Sequence, residues 1–327
     1  MEYQRQILRW GTACIVLAVA LRLLSAGFFQ PAVNLLRRPE TASFLLYMET
    51  GRKVHFKPLP AVEETPPAST DPVDPIPPEN QPEQEELTFA EEDLVAVMNH
   101  TGLDPDYFDL LTQPLSWSVN SAGPTVLIVH THATETYTGD DISYSGSYRT
   151  LDREDNMVSI GEEIARVLTA GGISVLHDRT LHDHPSYNSA YDNSRETIAE
   201  YLQKYPSVRM VLDIHRDASP FSGGELITSA TVGGQRSAQL MMVVGTQSSK
   251  WQENLSLALK LGALLEQENP GICRPVNLRS ERFNVDLSPG SLLVEVGATG
   301  NTHEEAIIAA NALAQSVLEL IKGTESP

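Results

Sequence analysis

Three apolar runs in this 327-residue chain end in side chains able to do metal chemistry. TVLIV (125–129) leads into HTHATE, which brings His130 and His132; MVLDI (210–214) leads into His215 and Arg216; SLLV (291–294) leads into Glu295. If the runs are strands of one sheet, their ends open on a common rim. Two histidines and a carboxylate form the ligand set of a catalytic zinc site, which keeps one position for water, and a further carboxylate would act as general base. His130 and His132 are two apart, so they share a face of an extended segment. Glu295 is the sharpest signal, because a carboxylate inside an apolar strand is costly unless it is paired, metal-bound or protonated. Glu154, in LDREDNMVSIG, stands where a helix begins and there meets the helix dipole favourably without a metal. His182 and His184 in LHDHPSY read as surface histidines of a turn-rich loop. His55, His100, His177 and His303 fall into no ligand pattern.

The elements that must position these residues alternate in type. After TVLIV comes a helical stretch, VSIGEEIARVLTAGG, then the run ISVLHD, a helix around SRETIAEYLQKYP stopped by Pro206, and the run RMVLDIH. GELITSATVGGQRSAQ has hairpin character; LMMVVGT, the helix NLSLALKLGALLEQ, SLLVEVG and a last helix EEAIIAANALAQSVLELIKG follow. Strands alternating with helices call for an α/β domain whose mostly parallel, mixed central sheet is flanked by helices. Ligands gather at the carboxyl ends of such strands. Residues 88–113 show apolar spacing suited to one short helix, and 88–123 read as a neck before a catalytic domain at 124–327.

The charge is divided unevenly along the chain. Residues 1–57 hold 8 basic and 3 acidic groups, 58–147 hold 0 and 17, and 148–327 hold 15 and 23, for nets of +5, −17 and −8 within the total of −20. No basic stripe exists beyond the N-terminal end, which excludes nucleic acid as a partner. Within 1–30, the apolar stretch from Trp10 to Gln30 is long enough to cross a bilayer as a helix. Arg22 can snorkel towards the headgroups. Small residues at Ser25–Gly27 leave a cleaved signal peptide as the rival, but no clean cleavage site follows, and an uncleaved single-pass anchor is favoured. A membrane-proximal segment (31–57) leads to an acidic, proline-rich linker (58–87), which cannot bury a core and reads as a disordered, self-repelling stalk. The domain would then lie on the extracytoplasmic side of the cell membrane. Cys14 and Cys273 would occupy different environments, so no disulfide joins them.

Taken together, VLIVHTHATETY (126–137), DREDNMVSIGEEIARVL (152–168), DIHRDA (213–218) and LLVEVGATGNTHEEA (292–306) resemble the stage II sporulation protein P family. The catalytic domain of that family is similar to zinc-dependent N-acetylmuramoyl-L-alanine amidases. The resemblance implies an amidase-like fold and a membrane-anchored peptidoglycan hydrolase of sporulation engulfment. It also implies Zn2+ as cofactor, and a glycan-cleaving enzyme and a membrane scaffold as partners. It implies roles as well: His132 as first ligand with His130 as competitor, Glu154 as second, His215 as third, and Glu295 as the catalytic carboxylate. Members are associated too with cleavage of peptide cross-links, an endopeptidase activity. Arg216 and Arg153, each beside an implied ligand, are candidates for a substrate carboxylate or an oxyanion. A non-catalytic module that binds peptidoglycan or assembles a complex on the same fold is the alternative, although a pure binder has no need of a buried base at Glu295.

Overall fold

Among the described residues the computed structural model has nine strands and five α-helices in the order β1 (Val97–Asn99), α1 (Tyr107–Thr112), β2 (Val126–Val129), α2 (Met157–Ala170), β3 (Val175–His177), α3 (Ala190–Lys204), β4 (Met210–Asp217), β5 (Ala230–Val232), β6 (Gln235–Ser237), β7 (Leu240–Gly245), α4 (Trp251–Glu268), β8 (Val276–Arg279), β9 (Ser291–Ala298) and α5 (His303–Lys322). The structure describes residues 87–119, 123–138, 148–218 and 226–324, all within the compact unit that begins at Asn80. The expected anchor, membrane-proximal segment and linker, save Leu87, lie outside the described residues. Among the described residues no helix is long and apolar enough to cross a membrane.

Seven strands form one sheet in the order β1-β8-β7-β9-β4-β2-β3, and β5-β6 form a separate hairpin. The strands β9, β4, β2 and β3 are mutually parallel, as are β1, β8 and β7, and the two blocks meet antiparallel at β7–β9. The connections explain the reversal. A long helix links β2 to β3, β3 to β4 and β7 to β8, and each pair runs parallel; among the described residues the links from β4 to β7 and from β8 to β9 contain no helix, and they reverse the chain. Parallel neighbours need a crossover connection, whereas short links turn the strand back. In the hairpin, Gly233 and Gly234 sit at φ +56° and +80°, the left-handed conformations that a two-residue turn demands.

Period-two alternation sorts the sheet's faces. Ile128, Leu212, Ile214, Val294 and Val296 join the large core under α2, α4 and α5. Leu127, Val129 and Val211 pack with Ile198 of α3 on the opposite side. The neck holds the expected short helix as α1 but also an unexpected strand: part of its VAVM stretch supplies β1, an edge strand paired to β8 with Val97 opposite Val276. Val95 and Val97 pack on the core while Met98 points outward, a strand's alternation rather than a helix's.

Candidate metal centre

On β4, Asp213 and His215 are two apart and share the α3 face, and His215 lies in register with Glu295 of the parallel neighbour β9. The third contribution comes from beyond β2. There the chain leaves the extended state and turns at Thr131–Thr134, and two buried aspartates fix the turn. Asp213 accepts from Thr131 N at 2.8 Å and Thr131 Oγ1 at 2.6 Å; Asp183 accepts from Thr134 N at 3.2 Å and Thr134 Oγ1 at 2.5 Å. The turn brings residues three apart together, and Glu135 N donates to His132 O at 3.1 Å. As a result Glu135 Oε1 lies 3.6 Å from His132 Nδ1 and Glu135 Oε2 lies 3.7 Å from His215 Nδ1. Ligand atoms of His132, Glu135 and His215 all fall within 4.8 Å of one another, and all three residues are buried. Two imidazoles and one carboxylate in such a cluster could hold a metal ion, and this donor set suits zinc.

The electrostatics centre on this group. Burial would raise the Glu135 carboxyl, but the Arg216 guanidinium and the two histidines outweigh it and hold the group at about 2. Burial would lower His215, yet Asp213, with Oδ1 3.0 Å from His215 Nε2, and then Glu135 and Glu295 raise it to about 9. Asp213 itself, opposed by burial but favoured by His215 and Thr131, sits at about 2. Burial pushes Glu295 up to about 8, and its Oε2 is enclosed without a hydrogen-bond partner.

A family model described as stage II sporulation protein P matches residues 49–318. The chain belongs to the stage II sporulation protein P family. The family's protein from Bacillus subtilis (strain 168) is 29% identical over 206 residues, covering 60% of this chain and 50% of the relative; the match thus spans about half of the relative's length. Among solved structures, the N-acetylmuramoyl-L-alanine amidase AmiC2 of Nostoc punctiforme is similar at 17% identity and a TM-score of 0.40, over 62% of this chain and 99% of that one. An N-acetylmuramoyl-L-alanine amidase from Clostridium difficile 630 is similar at 16% and 0.37, over 60% and 95%.

In this member of the stage II sporulation protein P family the structure brings together His132, His215 and Glu295 and separates three other expected residues from them. His130 does not share a face with His132, because the turn at Thr131 sends the two rings to opposite sides of the sheet. His130 lies against Gly161 of α2. Its Nδ1–H donates to Ile214 O at 3.1 Å, which leaves Nε2 to accept from His177 Nε2–H at 2.9 Å. Glu154 is not in the donor group either. It is exposed on the turn ahead of α2, where its N–H donates to Asp152 Oδ1; the helix starts later, at Met157, capped by Asn156. Arg153 is exposed on the same turn.

Arg216 is buried and committed to the chain itself. Its Nε and Nη2 donate to Thr136 O and Tyr148 O, and Nη1 lies 3.6 Å from Glu135 Oε1. It braces the loop that carries Glu135 and is not free for a substrate carboxylate. His182, expected on the surface, is buried with Nε2 2.9 Å from Asp178 Oδ2, while His184 is exposed. The residue missed by sequence reasoning is Glu135. Its signal was present as H-x-x-E within HTHATE, the spacing at which a turn makes two side chains neighbours.

Proposed function

We propose that this chain is a membrane-anchored peptidoglycan hydrolase of sporulation engulfment, a zinc-dependent N-acetylmuramoyl-L-alanine amidase. Its metal ligands in this reading are His132, Glu135 and His215, and Glu295 is the catalytic carboxylate. The observation that carries the reading is the buried His–Glu–His group, with Glu295 in register beside His215 and its Oε2 enclosed without a hydrogen-bond partner. Family membership supports the cell-wall substrate and the sporulation setting, and the apolar stretch at 10–30 supports an anchor in the cell membrane with the domain outside. When bound, zinc supplies a Lewis acid for the scissile carbonyl and lowers the pKa of a water.

The chain's own groups do the rest. Asp213 and the Thr131–Thr134 turn hold the two imidazoles; Arg216 keeps Glu135 ionised and in place. Glu295, ionised once a cation occupies the site, takes the proton of the attacking water and returns it to the leaving amine; its Oε2, enclosed without a hydrogen-bond partner, is free for that exchange. The bond cut is the amide between the muramoyl lactyl group and L-alanine. Cross-link cleavage would place a second amide in the same position, and a glycan-cleaving enzyme and a membrane scaffold are the partners in this reading.

The test uses the full chain on sacculi, with and without chelator, and measures released stem peptides. Release should stop with chelator and return with zinc. Glu295→Gln should lower kcat by at least about a hundredfold while retaining zinc. Release indifferent to chelator, or full activity in Glu295→Gln, overturns the proposal. A pure binding module has no use for a Glu295 oxygen enclosed without a hydrogen-bond partner.

A further inference from the structure

The rim beside the metal ligands carries a three-layer stack with one charge left over. The ring of Tyr187 lies on that of His132, with centroids 4.4 Å apart and planes inclined by 27°. The Arg149 guanidinium carbon lies 3.8 Å from the centroid of the same tyrosine ring. Two planar groups that close to one centroid must occupy opposite faces, so the order is His132, Tyr187, Arg149. Arg149 is not a stray surface residue. Its flanks are fastened to the ligand loop: Thr136 N donates to Tyr148 O at 3.1 Å, Thr150 N donates to Thr134 O at 2.8 Å, and the backbone of Arg149 forms an isolated antiparallel β-bridge with that of Glu135.

Most other described arginines have acidic partners; Arg153 and Arg209 do not, but Arg153 is exposed on a turn and Arg209 is held by backbone carbonyls. Arg195 is bidentate to Asp286 and Arg274 meets Asp217 at 2.6 Å. Arg149 has no carboxylate among the described residues, and its Nε is enclosed without a hydrogen-bond partner. Tyr187, by contrast, is 43% exposed, so the stack is open to a ligand. Arginine's planar fork matches a carboxylate, and stacking on an aromatic face leaves its edge N–H groups available.

We propose that Arg149, shelved on Tyr187, forms a subsite for a carboxylate of the acidic peptide that lies beyond the scissile amide. This rests on the amidase reading and deepens it. Two residues of extended peptide span about 7 Å, comparable with the reach from the His132 ring across Tyr187 to the guanidinium. A carboxylate on the second residue of the departing peptide therefore arrives at Arg149 when the amide next to the first lies at the metal ligands. Arg149 takes the part that sequence reasoning gave to Arg216 and Arg153.

The experiment measures binding, so it does not depend on turnover. Full-length Glu295→Gln protein, loaded with zinc, is titrated with N-acetylmuramoyl-L-alanyl-D-glutamate as the free acid and as its diamide. The acid should bind more tightly, and adding Arg149→Met should weaken the acid by about ten- to a hundredfold and leave the diamide unchanged. Arg149→Lys, which keeps the charge but loses the fork, should fall between the two and serves if the Met variant does not fold. Zinc affinity should be the same in all variants. Equal weakening of acid and diamide, or a fall in zinc affinity, would show that the stack only orients His132 and would overturn the subsite; no preference for the acid in the parent would do so too. Absence of hydrolysis by the wild type would refute the amidase reading separately.

Discussion

Asp213 is the residue through which one substitution should disturb both histidines of the donor group. Its Oδ1 accepts from Thr131 N at 2.8 Å and lies 3.0 Å from His215 Nε2, while Oδ2 accepts from Thr131 Oγ1 at 2.6 Å. It thus touches one imidazole and fixes the turn that carries the other. Loss of a group that orients a metal ligand typically costs ten- to a hundredfold in affinity, about 1.4 to 2.8 kcal/mol. Because Asp213 acts on two ligands, Asp213→Ala should reach the upper end. Asp213→Asn separates geometry from charge. Its oxygen can stand at Oδ1 for both Thr131 N and His215, and its amide can donate to Thr131 Oγ1, so about tenfold is expected. The metal-free alanine variant also loses two hydrogen bonds to a buried ion, each worth about 1.5–3 kcal/mol, so its melting temperature should fall well below that of the asparagine variant. The assay is competitive zinc titration of the full chain against a chelator of known affinity, with calorimetric melting of the metal-free forms. If folded Asp213→Ala holds zinc within about twofold of wild type, the orienting role is wrong.

Gly161→Ala places a methyl 2.4 Å from His130 Nε2 and 2.7 Å from His177 Nε2. Overpacking costs about 1–3 kcal/mol against a helix-propensity gain of about 1, so a lower melting temperature is expected, relieved by pairing the change with His130→Ala; a higher one refutes the contact. The stability of the metal-free chain should peak near pH 6.5. His130 and His177, lowered by burial to about 3 and 4, are protonated in the unfolded chain first, so stability is lost as pH falls below 6.5, by up to about 1.4 kcal/mol per pH unit for each group. His215 and Glu295, raised to about 9 and 8, favour folding while protonated. The His215 contribution is lost as pH rises from 6.5 through 9; that of Glu295 declines from 4.5 through 8, but two histidines outweigh it on the acid side. Urea midpoints from pH 5 to 9 check the curve, and a flat profile would refute it. Zinc binding at pH 7 should release between one and two protons, one from His215 and a share from Glu295; calorimetry in buffers of different ionisation enthalpy measures the number, and no release would contradict the assigned donors.

What was legible in the sequence follows from how the fold uses it. Buried parallel strands read as unbroken apolar runs, so the polar residues at their ends stand out: that signal names His130, His132, His215 and Glu295, and only the family resemblance prefers His132 to His130. The alternation of strands and long helices also disclosed the α/β class. Glu135 was hidden because reasoning by period two assumed that the chain stays extended past β2, whereas the turn at Thr131–Thr134 resets which side chains are neighbours. The same turn separates His130 from His132. Asp183 and His182 could not be recognised, since an aspartate or histidine in a polar loop gains significance only from what the fold places opposite it. The strand β1 was missed for a related reason: three residues are too few to show a period, and the edge of the sheet supplies the pairing.

The metal-free charge balance explains why the two raised pKa values occur together. Glu135, Asp213 and Glu295 converge on one small region, and Arg216 is the permanently charged cation packed against Glu135. Three ionised carboxylates against one guanidinium would leave the buried group two charges short, an expensive state in a low dielectric. The chain restores the balance by keeping a proton on His215 and one on Glu295, the groups held at about 9 and 8. Those two protons occupy the electrostatic place of a divalent cation. A binding surface for a neutral glycan would gain nothing from such an arrangement, whereas a site that takes up a dication has its counter-charge already assembled. Uptake of a dication would expel those two protons, and Glu295, then ionised, could accept a proton from water and give it back.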